Sequence, residues 1–455
     1  MSIPVIAIFD IGKTNKKLIL FDKSYRIIFE KTATLPEGKD EDGDDCESLD
    51  QLINFIHESL QEVLLYKYYD LKAINFSAYG ASLVNVGYNG KPVGPLYNYL
   101  KQFPANIQRQ FYDRYGGPED FSLSTASPVL GSLNSGMQLY RMKQERPALF
   151  SQTKYAVHLP QFLSYIISGK PYSEITSIGC HTGLWDFASN QYHRWLKEER
   201  LEEKLAPIVS SSHVTHVVYD GHPLITGIGL HDSSAALIPY LKTFKEPFVL
   251  LSTGTWCISM NPFNDTPLSG DELKQDCLCY LTYSGKPVKS SRLFSGFEYE
   301  QQVKRIAAYY NKGLRYYQSM RFDPEIIKRI QNSYPVVGGA KESRFALCDL
   351  AGFSNDAEAY HALMFDLVQQ QHRSTQLVLR GTNVTHILVD GGFSKNNVFM
   401  NLMASFFPGQ QIYAASMSQG TALGSALVIH DAWNDQEVSD SLINLTRYDR
   451  KELVV

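Results

Sequence analysis

The chain has 455 residues, too many for one ordinary hydrophobic core, and its length predicts two large domains. Apolar residues make up 44% of it and charged residues 20%, which excludes the disordered and collagen-like classes. Lys and Arg number 43 against 47 Asp and Glu, and the net charge of -4 is spread without a basic stripe. This balance argues against nucleic acid as a partner.

The start of the chain does not resemble an export signal, because the apolar run 3–9 is short, lacks a basic lead and ends in Asp10. No stretch approaches the length needed to span a bilayer, so we expect no membrane association. The six cysteines have no disulfide or zinc spacing, which favours buried free thiols in a reducing compartment. The sequence therefore predicts a cytoplasmic protein.

One dense charged run lies at 37–47 (EGKDEDGDDCE). It is interpreted as a solvated loop ahead of a helix that begins near Leu49, and a metal site made from its carboxylates is the less favoured alternative.

Three segments share one pattern, in which a short apolar run with high β-propensity stops in a turn of small residues. They lie at 5–12, 248–255 and 386–392. The first two are about half a chain apart, as expected if two similar domains each open with the same strand and turn.

Helical spacing of apolar residues alternates with these strands, which indicates an α/β protein. A further strand is expected at 73–76, with a turn at 79–81, and the boundary near 239–247 divides the chain into domains 1–242 and 243–455. The segment 261–329 is expected to elaborate the second domain. The predicted helices are a first one at 49–66, a pair within 147–169, one from 232 to 240, a long one at 357–379 and a last one just after 419–421.

The first turn, 10–16 (DIGKTNK), offers two features that a nucleotide site needs. Backbone N–H groups and the side chains of Thr14 and Asn15 can donate to phosphate oxygens, while Asp10 can hold Mg²⁺. An Asp-x-Gly turn in an ordinary hairpin is the alternative.

The second turn, 252–256 (STGTW), repeats this chemistry with three hydroxyls around Gly254, which permits close approach of an anion. The third, 390–396 (DGGFSKN), places two glycines where a flat adenine can lie against bare backbone. A tight strand-to-helix turn without a ligand would explain the same glycines.

The segment 227–236 (GIGLHDSSAA) supplies the group that phosphorylation of an alcohol requires, a carboxylate that accepts the hydroxyl proton. Asp232 lies between a glycine-rich approach and a helix start. An N-terminal helix cap is the structural alternative, and the two roles are compatible because the helix terminus favours the ionised form.

In order and spacing these segments resemble the FGGY carbohydrate kinases of the hexokinase, actin and heat-shock chaperone superfamily. The resemblance extends over the whole chain, including 76–82 (FSAYGAS), 89–95 (NGKPVGP) and 420–426 (GTALGSA). It is nearest to the rhamnulose and fuculose kinases, through 229–233 (GLHDS) and 251–256 (LSTGTW). It implies two actin-like, ribonuclease H-like domains that flank a cleft.

The resemblance also implies roles for individual residues. Asp232 is the general base, flanked at the substrate by His231 and Ser233. The implied ATP-binding residues are Lys13, Thr14, Asn15, Lys16, Gly254, Thr255, Gly391, Gly392 and Asn396, and the implied substrate-binding residues are Gly80, Ser82, His231, Asp232 and Ser233.

The implied reaction is ATP-dependent phosphorylation of a small ketose such as rhamnulose, fuculose, ribulose or xylulose. Lys13 and Asn15 depart from the small or hydroxyl residues usual in the first turn. Ser82 and Gln161 replace acidic residues, which bears on the sugar hydroxyls that are recognised. His158 and His181 are interpreted as structural histidines, although both fall near the expected cleft.

Other interpretations stay open at this stage. The same fold serves chaperone-like or filament-forming ATPases, and a family member can bind sugar with weak transfer activity. The tyrosines at 309, 310, 316 and 317 fit either a homodimer surface or internal packing.

Overall fold

A computed structural model of the protein describes residues 2–333, 343–417 and 419–450. The strands of its first half are β1 (Ile3–Ile11), β2 (Lys16–Asp22), β3 (Ile27–Ala33), β4 (Glu37–Lys39), β5 (Asp45–Glu47), β6 (Tyr69–Ala78), β7 (Leu83–Gly87), β8 (Thr153–His158), β9 (Ser173–Glu174), β10 (Trp185–Asp186), β11 (Gln191–Tyr192), β12 (Ile208–Val209), β13 (Val214–Tyr219), β14 (His222–Gly227) and β15 (Leu230–His231). The strands of its second half are β16 (Phe248–Thr253), β17 (Cys257–Asn261), β18 (Cys277–Leu281), β19 (Pro287–Leu293), β20 (His386–Gly391), β21 (Gln411–Ser416) and β22 (Asn444–Tyr448).

The helices alternate with these strands. They are α1 (Leu49–Leu65), α2 (Ala105–Arg114), α3 (Pro118–Thr125), α4 (Ser135–Glu145), α5 (Pro147–Gln152), α6 (Leu159–Ser168), α7 (Ile175–Ile178), α8 (Arg194–Glu198), α9 (Asp232–Thr243), α10 (Gly270–Lys274), α11 (Ser295–Tyr309), α12 (Leu314–Gln318), α13 (Pro324–Ser333), α14 (Asp356–Leu379), α15 (Asn397–Phe406), α16 (Gly420–Leu427) and α17 (His430–Trp433).

Two seven-stranded sheets repeat one topology. In the first, β1 pairs antiparallel with β2 and parallel with β6, and β2 continues antiparallel to β3. In the second, β16 pairs antiparallel with β17 and parallel with β20, and β17 continues antiparallel to β19. Since carboxyl ends of parallel strands meet at one edge of a sheet, each sheet brings its strand-ending turns together.

Most predicted helices occur close to their expected bounds, and α1, α9, α14 and α16 match four of them. The helix pair expected within 147–169 is wrong in its middle, because β8 separates α5 from α6. The segment at 153–157 alternates β-branched and aromatic residues with others, and it pairs antiparallel with β7. Long-range strand pairing overrides the helical appearance of its flanks.

One hydrophobic cluster joins the two ends of the chain. Ile6 and Ile8 of β1 pack together with Ala235 of α9 and with residues of α16 and α17, including Leu427 and Trp433. The late helices therefore cover a face of the first sheet. The division into domains 1–242 and 243–455 stays a prediction.

The acidic run carries an internal cation. The buried ammonium of Lys101 forms ion pairs with Asp40, Asp42 and Asp44. Within the described ranges, no group of three or more His, Cys, Asp or Glu side chains is arranged to hold a metal ion. The predicted solvated loop is therefore wrong, since the run is a hairpin of β4 and β5 whose connecting turn is held by lysine.

The tyrosine cluster divides between core and surface. Tyr317 is fully buried and the Tyr310 hydroxyl donates to the Leu350 carbonyl oxygen, whereas Tyr309 and Tyr316 are exposed. A homodimer through this surface stays a prediction.

Candidate active site

The carboxyl edge of the first sheet brings Asp10 and Asp232 close together. Asp10 lies opposite Ser77 where β1 pairs with β6, and Leu230 of β15 lies opposite the same Ser77 from the other side. The strands that lead to the two aspartates are therefore about 10 Å apart, twice the usual strand spacing. Asp232 begins α9 directly after β15.

Asp10 is held in a largely desolvated position. The Ser77 hydroxyl donates to its Oδ1 at 2.9 Å. Burial raises the pKa of Asp10 to about 6, the hydrogen bond from Ser77 opposes that shift, and the charge of Asp232 adds to it. A carboxylate in this state favours a nearby cation.

Asp232 is partly buried while its carboxylate stays accessible. Its Oδ1 accepts hydrogen bonds from the backbone N–H of Ser233 at 2.6 Å and from the Ser233 hydroxyl at 3.2 Å. Desolvation nevertheless raises the pKa of Asp232 to about 6. Its side chain keeps 35% of its surface exposed, so a small molecule can reach this carboxylate.

Three histidines form the wall beside Asp232, of which His158 and His231 are buried and His181 is half-buried. The His231 ring packs under Gly80, where an added Cβ would come within 2.9 Å of it, and its Nε2 lies 3.2 Å from Asp232 Oδ1. Burial lowers the pKa of His158 and of His181 to about 3 and that of His231 to about 4. All three rings are neutral near pH 7.

Two buried side chains next to this wall have polar atoms without a partner. Ser82 Oγ and Gln161 Oε1 are buried, and neither forms a hydrogen bond in the part of the chain that the structure describes. The Gln161 amide donates to the Gly229 carbonyl oxygen at 2.8 Å, which fixes its orientation. Buried oxygens of this kind are suited to the hydroxyls of a polar ligand.

The first turn projects Thr14 and Asn15 into solvent, while Lys13 pairs with Glu37 at 3.2 Å. The expected contact of the Lys16 ammonium with phosphate is corrected by the structure. Lys16 is buried and its Nζ donates to the carbonyl oxygens of residues 12 and 13. It supports the turn from inside because it belongs to β2.

The second and third turns meet at the edge of the second sheet. Thr253 of β16 lies opposite Gly391 of β20, and its hydroxyl donates to the Asp390 carbonyl oxygen and accepts from the Phe393 N–H. Gly391 has a φ of +90°, and a Cβ there would lie 2.0 Å from the Thr253 carbonyl oxygen. Gly254 and Thr255 are exposed beside this junction.

A cavity of about 430 Å³ opens between these two turns, a size typical of small-ligand sites. Asn396 lines it, but its side chain is engaged internally, since it caps α15 and donates to the Tyr360 hydroxyl at 2.7 Å. Three of the lining residues, Gly296, Tyr299 and Gln318, lie outside every turn that the sequence singled out. Among them, Gly296 gave the clearest sequence signal of a special position, because it is a glycine at the start of the long helix α11.

Asn75 links the glycine-rich approach to Asp232 with the end of the chain. Its Oδ1 accepts from the Gly229 N–H at 3.0 Å, and its Nδ2 donates to the Ser425 carbonyl oxygen at 2.8 Å. A Cβ on Gly424 would lie 1.8 Å from the Ala235 carbonyl oxygen, so α16 crosses α9 at close range. Sequence reasoning missed Asn75 because it lies within the buried strand β6 without a motif.

The comparisons with known proteins match both halves of this arrangement. Residues 5–238 match the N-terminal domain of the FGGY family of carbohydrate kinases, and residues 245–437 match the C-terminal domain of carbohydrate kinase FGGY. The chain belongs to the FGGY family of carbohydrate kinases. The predicted family is thereby confirmed.

Two curated FGGY relatives are rhamnulokinases. That of Mannheimia succiniciproducens is 24% identical over 57% of this chain and 54% of its own length. That of Lactiplantibacillus plantarum is 23% identical over 55% of this chain and 52% of its own length. The chain thus spans about half the length of the curated relatives it matches.

Solved FGGY-like structures match the whole fold. A carbohydrate kinase from Novosphingobium aromaticivorans has a TM-score of 0.80 at 23% identity, over 98% of this chain and 96% of the other. A ligand-bound xylulose kinase from Lactobacillus acidophilus has a TM-score of 0.77 at 16% identity, over 98% and 94%. The predicted two-domain α/β fold is confirmed. In the described ranges, no helix combines the length and apolar character needed to cross a membrane.

Proposed function

We propose that this protein transfers the terminal phosphoryl group of ATP to a hydroxyl of a small sugar, with Asp232 as general base. One observation carries the proposal. A partly exposed carboxylate with a pKa raised to about 6 lies at the same sheet edge as Asp10 and the first turn. Membership of a carbohydrate kinase family supports the reaction class.

In the proposed reaction, the sugar hydroxyl gives its proton to Asp232 as its oxygen attacks the terminal phosphorus in line. A pKa of about 6 suits this role, since the carboxylate is ionised at pH 7 and is still a better proton acceptor than an exposed aspartate. The two donors of Ser233 keep the carboxylate in one orientation. The neutral histidines add no competing positive charge.

Mg²⁺ is the cation that the chemistry of Asp10 fits. Asp10 offers a hard oxygen ligand, and its raised pKa reflects a charge that a cation would compensate. Bound with ATP, Mg²⁺ would supply positive charge to the phosphate oxygens. Ser77 would keep the Asp10 carboxylate oriented through its hydrogen bond.

For ATP, we assign the phosphates to the two exposed turns and the adenosine to the cavity of about 430 Å³. Exposed N–H and hydroxyl groups suit phosphate oxygens. The glycine surface between the strands suits a flat base. The assigned residues are Lys13, Thr14 and Asn15 in the first turn, Gly254 and Thr255 in the second, and Gly391, Gly392 and Asn396 around the adenine.

For the sugar, we assign the wall next to Asp232, made by Gly80, Ser82, His231 and Ser233. The unpartnered oxygens of Ser82 and Gln161 would bind sugar hydroxyls. A ketose of the rhamnulose, fuculose, ribulose or xylulose type is our preferred substrate. Relatives named rhamnulokinase and a neighbour named xylulose kinase support this choice.

The test is ADP release with Mg-ATP across a panel of ketoses, sugar acids and glycerol. We expect one ketose to stimulate ADP release strongly, and Asp232→Asn to lower that sugar-dependent rate about a hundredfold or more while ADP binding persists. Asp50→Asn, at an exposed position in the first turn of α1, is the matched control and should keep full activity.

Two outcomes would contradict the proposal. ATP turnover that is equally fast without any sugar would favour an ATPase that acts on a protein partner. An Asp232→Asn variant with most of its activity would remove Asp232 as the base.

A further inference from the structure

Lys16 is a buried lysine placed directly behind the first turn. Only 2% of it is exposed. Its Nζ donates to the Gly12 carbonyl oxygen at 3.0 Å and to the Lys13 carbonyl oxygen at 2.9 Å, and it forms an ion pair with Glu47. Two of the three N–H donors of the ammonium thus go to turn carbonyls, and its charge is compensated by the Glu47 carboxylate.

The two carbonyl contacts determine where the neighbouring amides point. In a planar trans peptide unit, the C=O of one residue and the N–H of the next are antiparallel. With the carbonyls of residues 12 and 13 turned inward to Nζ, the N–H groups of Lys13 and Thr14 point outward. Neither N–H has a backbone acceptor in the ranges that the structure describes. The turn is thus an outward-facing pair of donors.

We propose that Lys16 is a positioning residue that preorganises the first turn to bind phosphate without touching the phosphate itself. This inference rests on the proposed function, since it assumes that the turn binds ATP. The ammonium also lies on the carbonyl side of both peptide units, so it stabilises the orientation in which their dipoles face an anion.

Glu47, the ion-pair partner of Lys16, is itself held in place by a hydrogen bond. Glu47, on β5, is 5% exposed and accepts a hydrogen bond from the Tyr79 hydroxyl. Burial and the Glu47 charge raise the pKa of Tyr79 well above its usual range, so the phenol stays a donor. The turn is also closed by a bond of 2.9 Å from the Gly12 N–H to the Asn15 carbonyl oxygen.

The second half of the chain offers a matched control, Lys289. It is 1% exposed, its Nζ pairs with Glu272 at 3.0 Å, and it donates to the Thr266 hydroxyl and the Pro267 carbonyl oxygen. It is therefore another buried lysine with one carboxylate and other oxygens around it, but it supports no strand-ending turn. A general loss of stability should affect both sites alike.

The experiment compares binding of ADP and of adenosine by calorimetry. Lys16→Met combined with Glu47→Gln removes both charges at similar volume, and Lys289→Met with Glu272→Gln does the same at the control site. We expect the first double variant to weaken ADP binding about tenfold while adenosine binding changes less than about twofold. The control double variant should change neither the ADP affinity nor the adenosine affinity.

A second variant covers the case in which the double variant does not fold. Lys16→Arg keeps the charge, but its planar fork cannot reproduce the contacts of one compact ammonium with two carbonyls and a carboxylate, so the ADP-to-adenosine affinity ratio should fall by about threefold. An unchanged ratio in folded variants would overturn the inference. Absence of ADP binding in the unmodified protein would instead overturn the proposed function.

Discussion

The two sheets place the same pair of side-chain types at the same edge but exchange them between strands. In the first sheet, Asp10 on the leading strand lies opposite Ser77 on its parallel neighbour. In the second, Ser252 on the leading strand lies opposite Asp390 on its neighbour. The shared topology fixes where a functional group lies, and the residue at each strand end decides its chemistry.

The environments of the two carboxylates differ as well. Asp390 accepts hydrogen bonds from the Tyr240 hydroxyl at 2.9 Å and from the Gly391 N–H at 2.7 Å, so each of its oxygens has a partner. Asp10 accepts one from Ser77 and lies close to the charge of Asp232. Asp390 is suited to holding the second edge together, and Asp10 is suited to meeting a cation.

The largest expected effect separates these two aspartates. Asp10→Asn should lower kcat about a hundredfold, because it removes the negative charge that we assign to Mg²⁺ binding. Asp390→Asn should change kcat less than about threefold and instead destabilise the fold by about 1–3 kcal/mol, since hydrogen bonds are weakened. Steady-state kinetics and denaturant unfolding of both variants check this. Equal losses of kcat in the two variants would contradict the different roles assigned to Asp10 and Asp390.

The next effect is a pH dependence that the first edge alone should produce. The proposed reaction needs Asp10 and Asp232 ionised, and both have a pKa raised to about 6. We expect kcat/KM to fall at least about tenfold from pH 7 to pH 5. The histidines do not account for such a fall, because burial keeps the pKa of His158, His181 and His231 at about 4 or below. A flat profile over this range would contradict the assignment.

A smaller effect should come from the second edge. A Cβ on Gly296 would lie 1.7 Å from the Gly254 carbonyl oxygen. Gly296→Ala must therefore displace the second turn, and we expect KM for ATP to rise about fivefold with a smaller change in KM for sugar. Gly313→Ala is the control, since a Cβ there meets nothing within 4 Å. Equal KM values for the two variants would show that the second turn is not needed for ATP.

The smallest effect concerns stability. The pKa of Asp232 is higher in the folded protein than its usual value of 3.8, so the charged form destabilises the fold above about pH 6. Asp232→Asn should raise Tm at pH 7.5 by about 2 °C, and the gain should disappear below pH 4, where both states are protonated. Thermal scans at the two pH values check this. A variant less stable at pH 7.5 would contradict the raised pKa.

The sequence predicts best those features that depend on local patterns. The apolar runs that end in Asp10, Thr253 and Gly391 predicted three strand-turn units. All three occur as strands that end at a sheet edge. The start of α9 at Asp232 followed from a glycine-rich approach and a run of small residues. Each of these signals lies within about ten consecutive residues.

Features made by distant segments could not be predicted in the same way. Sequence reasoning assigned Lys16 to phosphate because no nearby residue indicates that its ammonium is buried. The carboxylate that pairs with it, Glu47, is thirty-one positions away in the chain. Strand β8 was missed because its pairing with β7 crosses more than sixty residues. Asn75 has no local signature, since its partners lie at Gly229 and Ser425.

The packing of α16 and α17 against the first sheet has a consequence for how the chain is made. Ile6 and Ile8 are synthesised well before Leu427 and Trp433, which form part of their cover. This face of the first sheet is therefore sealed only after α16 and α17 have been synthesised. A fragment that stops at residue 242 would keep α9 but lose α16 and α17, so part of this apolar face would be exposed and prone to aggregation.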